Sequence, residues 1–498
     1  MLFPEGYDVQ MSLLVGEVFR RAAAATPRRV AASLGGCTLT FGEVDGAANG
    51  IGHALRAAGV AHGDRVAWWA GTTLDAVPLF AAVAKVGAVF VPLNPGLGPD
   101  EAAPVLARAR ARLLVTTADW ADGADAVAKL VGDVSVARLD GELRAESTHD
   151  AADQTLSERD PHVIFFTSGS TGAPKGVVLS HRASCLRTFP ENGHVHRGPT
   201  VIMFPLFHMA AWTIALGCWQ AREEAAFVPR AEATTLLEAV EDRRAGRIYL
   251  IPAVWDRVLA ELGRGGRRWD VSSLREADTG TSATPPELIA AIRHALPATT
   301  TRVFYGSTEA GAGASLGPED LERKAGSVGL PGLGVDLGLS DAGEVCLRSE
   351  LLMDGYFEDP ESTAEALQDG WYHSGDLGAL DDEGYLSIVG RVRDVIRTGG
   401  ETVAPVEVER VLVDLPGVAE VAVVGVPEPT WGEVVCAVVV PRPGHRLDLD
   451  GLREGCRHRL APFKQPRRLE LVDALPRTAA TGQVQRSLVV ERLRLGAS

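Results

Sequence analysis

The sequence is poor in lysine, with five lysines against 44 arginines among 498 residues. Each lysine position is therefore informative. Six cysteines stand at 37, 185, 218, 346, 436 and 456, and no two form a Cys-x-x-Cys pair. That excludes the common zinc and dithiol motifs and suits a reduced, cytoplasmic setting. Positive charge is also short, for the formal net charge is −16. A nucleic-acid or anionic-membrane binder needs a basic excess, so neither partner is expected. A local basic site for a small anion remains compatible with that balance. The opening MLFPEGYDVQ has no basic region ahead of an apolar stretch, so no signal peptide is expected. The longest apolar run, residues 201–219, is interrupted by Pro205 and His208. Both are costly in lipid, and the run reads as a buried element of a large domain.

Hydrophobic residues make up 46% of the chain and charged residues 23%, ordinary for a globular protein of two to four domains. Strand and helix patterns alternate to about residue 300. Residues 64–69 and 88–93 read as buried strands and 79–86 as a helix between them. This is an α/β pattern with parallel sheets covered by helices. From residue 343 to 389 the sequence turns to short strands and turns, as in a small β-rich subdomain. After residue 391 comes a compact α+β pattern, with helices over 406–415 and 452–460 and strands over 419–425 and 434–440. A boundary is expected at residues 391–394, between a domain of residues 1–390 and one of 395–498.

The sharpest local signal is FFTSGSTGAPKG at residues 165–176. An apolar strand runs into a loop of hydroxyls and glycines that ends on Lys175. Glycines let backbone N–H groups approach phosphate oxygens, hydroxyls add donors, and the lysine adds charge. The loop is neither a Walker A sequence nor a Gly-x-Gly-x-x-Gly.

This stretch resembles the phosphate-loop signature of the adenylate-forming superfamily of acyl-CoA synthetases, aryl-CoA ligases, nonribosomal adenylation domains and luciferases. YGSTE at 305–309, YHSGDLG at 372–378, GRVRD at 390–394, GGE at 399–401 and PVEVE at 405–409 follow in the family's order. The resemblance covers nearly the whole chain. It implies a large N-terminal domain of two α/β subdomains plus a β-barrel, with a small mobile α+β C-terminal domain. It also implies ATP and Mg²⁺, CoA as the usual acceptor, a small carboxylate as substrate, and a monomer or homodimer. In the family reaction a carboxylate attacks the α-phosphate of ATP, and a thiol then displaces AMP. That chemistry asks for positioning and charge neutralisation rather than acid–base help.

Carried over residue by residue, Thr167, Ser168, Gly169, Ser170, Thr171, Gly172 and Lys175 would hold the phosphates. Thr308 would bond the α-phosphate and Glu309 would hold Mg²⁺, a hard cation that prefers oxygen. Tyr305 and Gly306 would lie at the adenine, and Asp376 and Arg391 at the ribose. Arg393 matches the hinge, and Gly400 the thiol channel. His208 matches a histidine at the mouth of the acyl pocket, which Met209, Trp212 and Thr213 would line.

Two departures stand out. The family's Gly-Gly-Ala-like stretch reads Gly280, Thr281, Ser282, Ala283 here. Those hydroxyls and the β-branched residue should narrow the pocket floor and favour a short, aromatic or polar acid over a long fatty one. The C-terminal motif, which normally ends in a catalytic lysine that serves adenylation, reads PRTAATGQ over residues 476–483, one residue longer and with Gln483 in the lysine's place. Glutamine donates hydrogen bonds but carries no charge. A substitution made to trap a state would explain the glutamine but not the extra residue. Another basic group could do the lysine's work; Lys464, Arg477 and Arg486 are near in sequence. Or the reaction could need it less, as in an ATP-dependent diazotase that activates nitrite and diazotises an arylamine without CoA. A degenerate nucleotide-binding homologue without turnover is the third reading.

Overall fold

The computed structural model describes residues 13–139, 143, 145, 147, 149–167, 174–188, 197–282, 284–399, 401–478 and 482–495. The fold class is the mixed α/β one expected, and the chain divides into two compact units. The first holds residues 1–321, 331–335 and 348–372; the second holds 322–330, 336–347 and 373–498. This division by compactness places the 391–394 turn inside the second unit.

The first unit contains two largely parallel sheets. One runs, neighbour by neighbour, through Gly311–Leu316, Val303–Ser307, Glu276–Gly280, Arg247–Leu250, Thr200–Ile202, Ala225–Phe227, Val30–Leu34 and Cys37–Thr40. The other runs through Gly355–Tyr356, Lys175–Ser180, Pro161–Thr167, Val89–Pro92, Arg65–Trp68, Ala111–Thr116 and Ser135–Arg138. Strands such as Val89–Pro92 are buried along their whole length, as parallel strands covered on both faces must be. The helix expected over 79–86 spans Ala76–Lys85. The interrupted apolar run becomes the strand Thr200–Ile202 and the helix Met209–Gln220, with His208 at the corner between them.

Phe19, Phe80, Phe90, Trp212 and Trp219 interlock the helices Val15–Ala25, Ala76–Lys85 and Met209–Gln220 with the strand Val89–Pro92. Trp212 stacks on Phe80 at 4.4 Å, is 2% exposed, and donates from Nε1 to the Leu206 carbonyl at 2.6 Å. Core packing is a sufficient account of it.

Beside this cluster, His162 and His181 stack at 5.0 Å, both fully buried. Burial holds the His162 imidazole well below its ordinary value and brings His181 down to about 4. The folded protein thus keeps both rings neutral, while the unfolded chain protonates its histidines near pH 6.5. Below that pH the unfolded state binds more protons, so stability falls as pH drops from about 6.5 towards 4. Urea midpoints at pH 7.5, 6.0 and 5.0 should decline in that order, by about 1 kcal/mol per pH unit for each such histidine. A flat profile would mean that neither ring is kept neutral by burial.

In the second unit, residues 376–380 of the strand Trp371–Leu380 pair antiparallel with the strand Leu386–Arg391. Further on, Ile396–Thr398, Glu401–Val403, Val418–Glu428, Gly432–Pro441 and Arg468–Leu471 form another sheet. The alternation of its two long strands decides its packing. Val423, Val435, Ala437 and Val439 face the helices Pro405–Leu412 and Leu449–Cys456. Ala422, Val424, Cys436 and Val438 pack with Leu475 and with Val489 of the helix Arg486–Leu495. Among the described residues, no helix of either unit is long and apolar enough to cross a membrane.

Candidate active site

In the first unit, the predicted site residues gather where parallel strands end, the usual place for a ligand in an α/β sheet. Thr167 and Lys175 face each other across the hairpin of Pro161–Thr167 and Lys175–Ser180. Ser168, Gly169, Ser170, Thr171 and Gly172, between them, lie outside the described residues. Strand Gly355–Tyr356 adds to the hairpin with Tyr356 opposite Val177. That register brings the Tyr356 ring beneath the Lys175 ammonium, 5.0 Å from Nζ to the ring centre, a cation–π contact. The Tyr356 hydroxyl donates to Glu309 Oε1 at 3.2 Å. Burial, then the Glu309 charge, pushes this phenol above its ordinary value, so it stays a donor.

Thr308 and Glu309 sit at the turn between Val303–Ser307 and Gly311–Leu316. Tyr305 pairs with Ala314, and Gly306 pairs with Ala312 so closely that a Cβ at 306 would meet the Gly311 carbonyl oxygen at 2.1 Å. Among the described residues, the Thr308 hydroxyl and Glu309 Oε2 make no hydrogen bond. A carboxylate oxygen of a half-buried glutamate, without a partner among the described residues, suits Mg²⁺, which takes one or two carboxylates plus phosphate oxygens.

His208 caps the helix Met209–Gln220: its Nδ1 accepts from the Ala210 N–H at 3.2 Å, and its ring stacks on Phe204 at 5.4 Å. Burial pushes the imidazole down to about 4. It is therefore neutral near pH 7, and with Nδ1 accepting, the proton sits on Nε2. Such a group can orient a carboxylate but cannot neutralise it. The Thr213 hydroxyl donates to Met209 Sδ at 2.9 Å. Phe204 packs edge-on to Tyr249, which tilts against Phe304. This aromatic row joins His208 to the strand ends near residue 280.

There Thr281 has φ +66°. For a β-branched residue that conformation is strained by about 1–3 kcal/mol, the kind of cost that clusters at functional sites. Ser282 follows, its carbonyl accepting from the Thr284 hydroxyl at 3.2 Å.

In the second unit, Asp376 and Arg391 are cross-strand partners, with Arg391 Nε 2.9 Å from Asp376 Oδ1. Arg393 is exposed in the turn that follows. Its neighbour Asp394 is held by Arg486 at 3.5 Å, and the same guanidinium meets both oxygens of Glu409 at 2.7 Å. Gly400 lies outside the described residues. Gln483 closes a tight loop: the Thr478 N–H donates to the Gln483 carbonyl at 2.8 Å, and the Gln483 N–H donates to Thr478 Oγ1 at 3.1 Å. The basic groups near it in sequence are engaged. Lys464 pairs with Glu407 at 2.6 Å and Arg477 with Glu420 at 2.6 Å.

Sequence motifs did not single out Tyr356, Tyr249, Phe304 or Arg187. Arg187 is a buried arginine that donates to the carbonyls of both Thr308 and Glu309. The signal for the aromatics was their position at or near strand ends. Arg187 carried none among so many arginines.

Residues 19–357 match the family described as AMP-binding enzyme, and residues 407–481 match its C-terminal domain. The chain is 35% identical over 496 residues to a feruloyl-CoA synthase of an Amycolatopsis species, covering 95% of this chain and 97% of that one. It is 32% identical over 497 residues to an indoleacetate–CoA ligase of Aromatoleum aromaticum, covering 93% and 95%. Its fold is similar to that of an o-succinylbenzoate CoA synthetase from Bacillus subtilis solved with its acyl-adenylate intermediate. That match has a TM-score of 0.85 at 25% identity and covers 95% and 97% of the two chains.

Proposed function

The chain belongs to the AMP-binding enzyme family and is an adenylate-forming ligase; from this premise we propose that it activates an aromatic or arylalkanoic acid with Mg-ATP and passes the acyl group to CoA. The carboxylate oxygen bonds to the α-phosphorus as the bond to pyrophosphate breaks. The CoA sulfur, losing its proton to solvent, then bonds to the acyl carbon as AMP leaves.

The observation that carries this reading is the corner at 308–309. The Glu309 carboxylate accepts from Tyr356, whose ring carries the Lys175 ammonium, and among the described residues its second oxygen and the neighbouring Thr308 hydroxyl have no hydrogen-bond partner. On this reading Lys175 neutralises phosphate charge, Thr308 donates to the α-phosphate, and Glu309 holds Mg²⁺, which when bound neutralises charge on the phosphates. Asp376 accepts from the ribose hydroxyls while Arg391 steadies it. His208, as a neutral N–H donor, orients the acid. The hinge assigned to residues 391–394 stays part of the proposal.

Two features support an aromatic acid. The row of Phe204, Tyr249 and Phe304 offers π-faces, and Thr281, held at φ +66°, would narrow the floor. The relatives' names, which speak of feruloyl, indoleacetate and o-succinylbenzoate, agree. CoA use is supported by a cleft of about 390 Å³ in the second unit, lined in part by Trp431, Arg467 and Arg468. Arg467 lies 3.9 Å over the Trp431 ring, and the Gly399 N–H donates to the Trp431 carbonyl at 2.9 Å. Guanidinium groups at the edge of the cleft suit the phosphates of CoA.

The test is AMP release from Mg-ATP against a panel of cinnamic, arylacetic, benzoic and fatty acids with CoA, and against nitrite with an arylamine without CoA. Release with an aromatic acid and CoA is expected. Release with nitrite alone would overturn the ligase reading in favour of a diazotase, and a tight nucleotide complex with no AMP under any substrate would make the chain a binding protein.

A further inference from the structure

Arg187 lies in the last turn of the helix His181–Thr188 and is 7% exposed. Among the described residues its guanidinium makes three hydrogen bonds, all to backbone carbonyls. Nε donates to Leu351 at 2.7 Å, Nη1 to Thr308 at 2.9 Å and Nη2 to Glu309 at 2.9 Å. Among the described residues no carboxylate lies within ion-pair distance of it. Burying a charge against neutral carbonyls costs several kcal/mol, and an apolar side chain of similar volume is often no less stable. Stability alone therefore accounts poorly for an arginine here.

What the fork does is tie two segments far apart in sequence. Residues 308 and 309 lie more than a hundred positions from Arg187, and 351 more than forty beyond those. The Met353 N–H reinforces the tie by donating to the same Glu309 carbonyl at 2.7 Å. Space for the guanidinium is left by Gly311, whose φ is +70° and where a Cβ would come within 3.1 Å of Arg187 Nε. The Glu309 peptide is thus held from behind by Arg187 and Met353, and its carboxylate from the side by Tyr356.

We infer that Arg187 is a positioning residue for the metal–nucleotide corner: its three-way fork fixes the peptide planes of Thr308 and Glu309, and so the direction of the hydroxyl and carboxylate offered to a magnesium nucleotide, without touching the nucleotide. This rests on the role proposed above for Thr308 and Glu309. Arginine is required because its planar fork serves three carbonyls at once, whereas the ammonium of a lysine is a point charge on a flexible stem.

The test compares wild type with Arg187→Lys, Arg187→Met and Gly311→Ala, the last of which keeps the arginine but crowds it. The readouts are Mn²⁺ affinity in the presence of a non-hydrolysable ATP analogue, Tm, and AMP release as a function of Mg²⁺. Groups that orient metal ligands typically change metal affinity by 10–100-fold. Arg187→Lys should therefore weaken Mn²⁺ binding about tenfold and raise half-saturating Mg²⁺ in proportion, with kcat at saturating Mg²⁺ largely recovered. Gly311→Ala should move the same way. A merely structural role predicts a lower Tm with Mn²⁺ affinity unchanged in every variant that folds, and that result would overturn the inference. If wild type itself binds no Mn²⁺–nucleotide, the assignment of the 308–309 corner falls and this inference with it. Equal binding by wild type and variants removes the positioning role alone.

Discussion

Replacing Gln483 by lysine is expected to raise the rate of acyl-adenylate formation by about 10²-fold. A positive group aimed at a pentavalent phosphate is worth several kcal/mol in a water-poor site, and glutamine supplies none of that charge. The substitution should leave the loop intact. Residue 483 closes it with its backbone N–H and carbonyl against Thr478, and its exposed position leaves room for a lysine stem. The basic groups near it in sequence are not idle substitutes. Lys464 is paired with Glu407, Arg477 with Glu420, Arg486 with Glu409 and Asp394, and Arg468 with Glu470. The measurement is acid-dependent exchange of labelled pyrophosphate into ATP, wild type against Gln483→Lys. An unchanged rate would show that the longer loop carries residue 483 away from the phosphate and that adenylation draws on another donor.

The second large effect is expected at Asp376. Its side chain is nearly buried and its charge meets Arg391 at 2.9 Å. Arg391 is half exposed, and ion pairs of that kind contribute about 0–1 kcal/mol to stability. Asp376→Ala should therefore shift Tm by only a few degrees. Its effect on nucleotide binding should be far larger. Two hydrogen bonds from ribose hydroxyls to a carboxylate are worth about 1.5–3 kcal/mol each, so KM for ATP should rise by about 10²-fold or more. Asp376→Asn, which keeps one acceptor oxygen, should fall between. A variant with a wild-type KM and a collapsed Tm would reduce Asp376 to a strand-pairing residue.

The legible parts of this protein are the local ones. The hydroxyl-rich loop with its lysine, the turn carrying Thr308 and Glu309, and Asp376 in its strand each announce themselves within a dozen residues, because the chemistry needs neighbouring groups. The α/β class was readable from strand–helix alternation. The two faces of the C-terminal sheet follow from the alternation at 421–424 and 435–439. What escaped depends on register and on contacts between distant segments. Tyr356 reaches Lys175 because the strand Gly355–Tyr356 pairs with Lys175–Ser180, and no periodicity announces a two-residue strand. Arg187 reaches carbonyls more than a hundred residues away, and backbone acceptors have no signature in sequence. Trp212, one turn beyond His208, packs on Phe80 and Phe90, contacts that its place in the sequence did not announce.

The scarcity of lysine, together with where the ammonium groups end up, makes the protein an unusually simple target for amine-reactive labelling. Lys85 is sealed, with Asp45 at 2.7 Å and its side chain 1% exposed. Lys324 is clasped by Asp381 and Glu383, and Lys464 by Glu407. Only Lys129 and Lys175 have no carboxylate within ion-pair distance among the described residues. An acylating or reductive-methylation reagent thus meets two lysine amines in the first unit that no carboxylate holds among the described residues, Lys129 on a surface helix and Lys175 at the corner proposed for the phosphates. Their relative modification with and without nucleotide becomes an internal ratio, one amine reporting occupancy and the other correcting for reagent.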